Sequence, residues 1–344
     1  MYREVRMKDS YKSNSAVVIS LIAAAVLVGG IYLVSLTMSD FRAILGIDTG
    51  FAHYYWKLPN ITLWGSLTAW VLYLGHQISV WYLAFKLSKQ PMMPKGTIGK
   101  YNVLMLAVNA IFILLHMLQS ALFYDGLAQT VPVISSQGSV IVMLVMVLIL
   151  MVARRGLFFG KKVPLPKKGT QAVFKVHGYF IAWALVYTFW FHPTEGTLGH
   201  LLGFFYMFML MIQMSMAKTH FHNNIKWITV LEVYVAFHGA MVAVDAGNGM
   251  WPMFLFGFIM MFIVTQMYGL IKNRIAIAGI IAGYAAMALL VYSGIFGNNN
   301  TLAEIHQVTW IPLILYGLVF VIVWLLQGVV VLIDKRKAAK KASE

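Results

Sequence analysis

Ten runs of mainly apolar residues divide the chain, at roughly 16–37, 61–85, 101–123, 138–154, 172–192, 198–217, 227–246, 250–271, 275–294 and 308–333. Each is close to the ~20 residues that an α-helix needs to cross a hydrocarbon core. The pattern predicts an all-α polytopic membrane protein, a single transmembrane helical domain over residues 1–344. The first run has a basic flank, but its apolar core is about twice the length of a signal-peptide h-region. It therefore reads as a retained span. The shortest run, 138–154, follows Ser135–Ser136. No repeat of fixed period appears.

Charge orients the spans. Of 26 Lys and Arg residues, only Arg42 and Lys57 fall in one set of alternate loops; the rest flank the other set. This is the positive-inside pattern, and it predicts a bacterial-type inner (plasma) membrane protein with both termini inside. The net charge of +15 is thereby used for topology and for contact with membrane lipid, which argues against a nucleic-acid partner. Only 11% of residues are charged, less than half the share in a soluble domain, so neither of the longer loops can fold as one. The absence of cysteine excludes thiolate ligation, iron–sulfur clusters and covalent haem attachment.

Against this apolar background the ten histidines stand out. Ionisable groups at membrane depth are costly and tend to be paired or functional. From the helical rise of about 1.5 Å per residue, His76 lies towards the inner third of the second span and His116 towards the outer third of the third. His238 lies near the middle of the seventh, and His177 one turn into the fifth. Two imidazoles at one depth could hold haem b, and His76 with His177, or His116 with His238, meet that condition approximately. As isolated residues they would instead be packed and hydrogen-bonded.

On the outer side, seven residues separate His192 from His200, so the fifth and sixth spans must meet in a tight hairpin. His192, Glu195 and His200 are a plausible ligand set for zinc, copper or iron, with Gly196 and Gly199 relieving the turn. The plainer reading is a helix start capped by Thr197 and Glu195. On the inner side, His220, His222 and Glu232, joined by His177, form a second candidate metal or proton cluster. The plainer reading there is an ion pair holding helices together. Met207, Met211 and Met214 share one helical face, which suits Cu(I) or simple filling between helices. Gly279 and Gly283 lie on a small-residue face suited to close helix packing within the chain.

The stretch from His177 through His200 to His220-Phe-His222 resembles, in its histidine layout, bacterial membrane haem proteins such as the NnrS family and the haem–copper oxidases. It covers under a sixth of the chain, the flanking motifs do not align, and ten spans depart from the usual twelve. The resemblance implies haem. Hydrolase, zincin, P-loop and dinucleotide signatures are absent. The first expectation is a histidine-ligated haem or metal redox protein exchanging electrons with quinone or a periplasmic partner. The alternatives are a transporter for a metal or small anion, and a non-catalytic subunit or assembly factor working with other membrane subunits.

Overall fold

The computed structural model describes residues 10–46, 54–247, 249–295 and 300–343. His53, in the loop before the second span, lies outside them. Two short strands, β1 (Ser10–Lys12) and β2 (Thr97–Gly99), pair antiparallel. The other principal elements are helices: α1 (Ser13–Ser35), α2 (Ser39–Arg42), α3 (Leu63–Ser88), α4 (Lys100–Phe123), α5 (Val133–Arg155) and α6 (Lys167–Phe191). They continue with α7 (Leu198–Ser215), α8 (Ile225–Asp245), α9 (Trp251–Met261), α10 (Arg274–Tyr292) and α11 (Trp310–Ser343).

Among the described residues, nine helices are long and apolar enough to cross a membrane. Helix α3 is not one of them, although it has 26 residues, because His76 and Gln77 sit at its centre. Both of those side chains are buried. The surface is inverted relative to a soluble protein: along α1, Ile22, Val26 and Leu33 are each at least 60% exposed. Such a face fits a helix that packs against hydrocarbon.

The chain divides into two compact units, one comprising Met1–Val140 and Ile181–Leu231, the other Ile141–Phe180 and Glu232–Glu344. The core of the first joins Ala69 and Val80 of α3, Met105 and Ile113 of α4, Phe189 and Trp190 of α6, and Phe204 and Phe208 of α7. Within it, α3 and α4 are the most extensively packed pair. In the second unit Phe256 packs against Ala288, Val291, Tyr292 and Val308.

Two expectations need correction and one gains detail. Helix α5 begins at Val133, directly after Pro132. Ser135 and Ser139 each bond a carbonyl three residues back, so the serines sit inside the helix and do not delay it. The span expected at 250–271 is present as Trp251–Gly269, built from α9, a π-helical turn, Phe262–Gln266, and a 3-10 turn, Met267–Gly269. The wide turn places the Val264 carbonyl to accept from Phe159 N at 2.7 Å. Finally, the small-residue face of α10 packs against nothing described: no atom lies within 4 Å of a Cβ built on Gly279 or Gly283.

Candidate functional site

At the lysine-poor end of the first unit, the α6–α7 hairpin, α2, the 54–58 segment and the end of α4 meet. Thr197 caps α7, its hydroxyl accepting from His200 N at 3.4 Å, as the plainer reading of the hairpin expects. The same Oγ1 lies 2.9 Å from His200 Nδ1. On the other limb, Tyr54 Oη lies 2.6 Å from His192 Nδ1. The two imidazoles, both half-buried, stand 5.8 Å apart between ring centroids and nearly perpendicular. Trp56 meets His200 edge-on at 4.4 Å, and Tyr54 meets Phe191 at 5.0 Å, so the pair sits in an aromatic surround.

Glu195 is not turned to the histidines, and this overturns its expected role beside them. Arg42 Nε lies 3.0 and 3.2 Å from its two oxygens; Tyr124 Oη donates at 2.9 Å and Gly196 N at 2.9 Å. The carboxylate is 2% exposed and wholly engaged. Arg42 also donates to the Ser35 carbonyl. Tyr124 reaches Glu195 from a backbone φ of 63° at the end of α4, a conformation that costs energy for a residue with a side chain. Gly196 is required by close approach, since a Cβ there would fall 2.0 Å from Ser35 Oγ. Gly126 is required for the same reason, 2.2 Å from the Trp190 carbonyl.

His116 anchors this floor from within the membrane. Its Nε2 lies 2.8 Å from the His192 carbonyl, which can only accept, so the proton is on Nε2. Ser120 Oγ, one turn on, receives Thr194 N at 3.0 Å. Three fully buried polar atoms in this band, His116 Nδ1, Gln119 Oε1 and Thr194 Oγ1, have no hydrogen-bond partner. Buried orphans of this kind mark places for water or a polar ligand.

The structure brings His76 and His116 together around Trp190, whereas the depth estimate had placed them in different pairs. Trp190 Nε1 donates to His76 Nδ1 at 3.1 Å. Indole N–H is only a donor, so the His76 proton is on Nε2, and it donates to Asn109 Oδ1 at 2.9 Å. Asn109 in turn donates to Ser215 Oγ at 3.3 Å. Both ring nitrogens of His76 are therefore committed, and Phe112 stacks on its face at 4.6 Å. His116 lies 4.2 Å from the Trp190 ring and 4.8 Å from Phe189.

Of the expected lysine-end cluster, His220 and His222 belong to the first unit and His177 and Glu232 to the second. His222 Nδ1 lies 2.9 Å from the Gln213 carbonyl, His177 Nδ1 lies 2.8 Å from the Phe174 carbonyl, and Glu232 pairs with Arg155. His238 sits half-buried in α8 of the second unit. Met207, Met211 and Met214 lie in the first core among apolar side chains, as filler. Among the described residues, no group of three or more His, Asp or Glu side chains converges as a metal site. A shared ion here would rest on a pair of imidazoles.

Asp125 adds a titratable group at this end. Its carboxyl accepts from Leu58 N at 3.2 Å and Gly126 N at 2.7 Å. Burial nevertheless pushes its pKa from 3.8 up to about 7, against the pull of those amides and Lys57. Burial likewise raises the Tyr54 phenol well above its ordinary value, with Asp125, Tyr124 and Glu195 adding to the effect, so it stays neutral. Between about pH 4 and pH 7 the native state holds one more proton than the unfolded chain, so stability falls as pH rises through that window and levels above it. Asp125→Asn should remove this fall, as read by melting temperature in detergent across the same range. An equal slope in parent and variant would contradict the assignment.

No protein-family profile, curated protein or solved structure matches the chain.

Arg42, Tyr54, Trp56, Tyr124, Asn109 and Trp190 were not foreseen as site residues. Arg42 carried a signal as an exception to the basic-loop pattern, and Tyr54 and Trp56 one as part of the aromatic run Tyr54–Tyr55–Trp56, which suits an interfacial helix or lid.

Proposed function

We propose that this is a multi-pass inner-membrane redox protein of bacterial type, with ten spans and both termini inside. In this reading His192 and His200 bind one transition-metal ion, copper or iron, at the periplasmic edge. The ion exchanges electrons with quinone in the bilayer or with a periplasmic partner. The orientation rests on the distribution of lysine and arginine, which leaves only Arg42 and Lys57 on the periplasmic side.

The observation that carries the reading is the paired geometry of the two imidazoles. A metal–nitrogen bond is about 2.0–2.1 Å, so two rings sharing an ion have centroids roughly 5–6 Å apart. The observed 5.8 Å lies in that range. Each Nδ1 is next to a hydroxyl, from Tyr54 or Thr197. Hydroxyls accept as well as donate, so both rings can keep their proton on Nδ1. Metal-bound histidines usually have such a partner on the other nitrogen. His116 then acts as a positioning residue, fixing the His192 backbone from below.

The test is metal content of the purified protein after loading separately with Cu(I), Fe(II) and Zn(II). We expect about one ion per chain in the parent, and loss of it in His192→Ala and His200→Ala variants that remain folded. Retention of Cu or Fe with a reversible change in the visible or paramagnetic spectrum supports redox use. Binding of Zn alone would leave a structural site and remove the redox reading. Equal occupancy in parent and both variants would remove the site altogether.

A further inference from the structure

A cavity of about 560 Å³ runs along the first unit between α1, α4 and α7, away from the histidine pair. Its walls are shallow because the facing side chains are small: Ala16, Ser20 and Ala23 on α1, Ala107 and Ala110 on α4. The lining of α1 extends from Lys12 to Leu27, about 22 Å of helix axis. A trough of that length, lined mainly by apolar side chains, suits an extended chain. An empty apolar trough is unfavourable, and at this depth the material available to fill it is hydrocarbon.

The end of the trough is electropositive. Lys12 and Tyr11 line it, held in place by pairing of β1 with β2, in which Lys12 stands opposite Thr97. Helices α1 and α4 both begin here, at Ser13 and Lys100, and helix N-termini attract anions. Deeper in, Asn109 borders the trough, but its amide oxygen is engaged by His76 and its nitrogen by Ser215. The Ser15 and Ser20 hydroxyls and the second Asn109 amide proton are scattered along an otherwise mainly apolar wall, which suits a plain chain.

We infer that this trough seats one acyl chain of an anionic glycerophospholipid, with the phosphate against Lys12. The site is independent of the proposed metal pair, and its failure would leave that reading intact.

Native mass spectrometry of the full chain in mild detergent tests it, using membranes made with phosphatidylglycerol and phosphatidylcholine in equal amounts. The parent should retain one phosphatidylglycerol. Ala23→Trp, which fills the trough, should lose it. Lys12→Gln, at the exposed end and outside the packing, should lower the preference for phosphatidylglycerol over phosphatidylcholine about fivefold, the effect of one lysine at an anionic surface. If Ala23→Trp does not fold, Phe208→Trp supplies a reporter on the trough wall. Its added fluorescence should be quenched more by chain-brominated phosphatidylglycerol than by the brominated phosphatidylcholine. No retained lipid in the parent, retention unchanged in Ala23→Trp, equal quenching by the two lipids, or a retained quinone in place of phospholipid would each overturn the proposal.

Discussion

Glu232→Ala is expected to destabilise the protein by about 3–5 kcal/mol, the usual cost of leaving one member of a buried ion pair alone. Glu232 pairs with Arg155, and the two side chains are 5% and 4% exposed. The stem of Arg155 lies against Gly269, where a Cβ would meet its Cγ at 2.6 Å, so the arginine has little room to turn away. Removing both charges together, as Glu232→Leu with Arg155→Met, should recover most of the loss. Such apolar replacements of buried pairs are often neutral. Unfolding in mixed micelles measures both. A single variant within about 1 kcal/mol of the parent would show that Arg155 reaches water after all.

The second large effect is asymmetric, and exposure decides its direction. In the Arg42–Glu195 pair the arginine side chain is 37% exposed and the glutamate 2%. Arg42→Ala leaves a buried carboxylate supported only by Tyr124 and the Gly196 amide, at a cost of about 2–3 kcal/mol. Glu195→Gln leaves an arginine that can swing into solvent, and should cost about 1 kcal/mol or less. The double variant should be more stable than Arg42→Ala alone. Equal losses in the two single variants would contradict this account of the pair.

The helices were legible because bilayer crossing imposes a simple requirement on composition, and the apolar runs meet it. Even α3, diluted by His76 and Gln77, stood out as a run. The π turn after α9 did not, and the amide that its Val264 carbonyl accepts from belongs to Phe159, about a hundred residues earlier in the chain. The His192–His200 approach was legible for a local reason, since seven intervening residues cannot keep two helix ends apart. The fate of Glu195 was not, because its partner lies 153 residues away. Depth along a helix can be read from sequence, but rotation about its axis cannot. That is why the depth estimate paired His76 with His177, while Trp190 and Asn109 actually claim both nitrogens of His76. For the same reason the Arg155 partner of Glu232 could not be read from depth.

Arg42 shows how an exception can carry information. A basic residue in the lysine-poor loops runs against the topological pattern, and its place is explained by the buried acid it pairs with. Lys57, the other exception, lies close enough to Asp125 to favour the ionised carboxylate.

The claim that His192 and His200 share one ion is tested most directly by X-ray absorption at the metal edge, on protein loaded with Cu(I) or Fe(II). The account predicts a shell containing two imidazole nitrogens at about 2.0 Å, falling to one in either single variant and to none in the double. A shell without imidazole scattering, or one unchanged when both histidines are replaced, would contradict it.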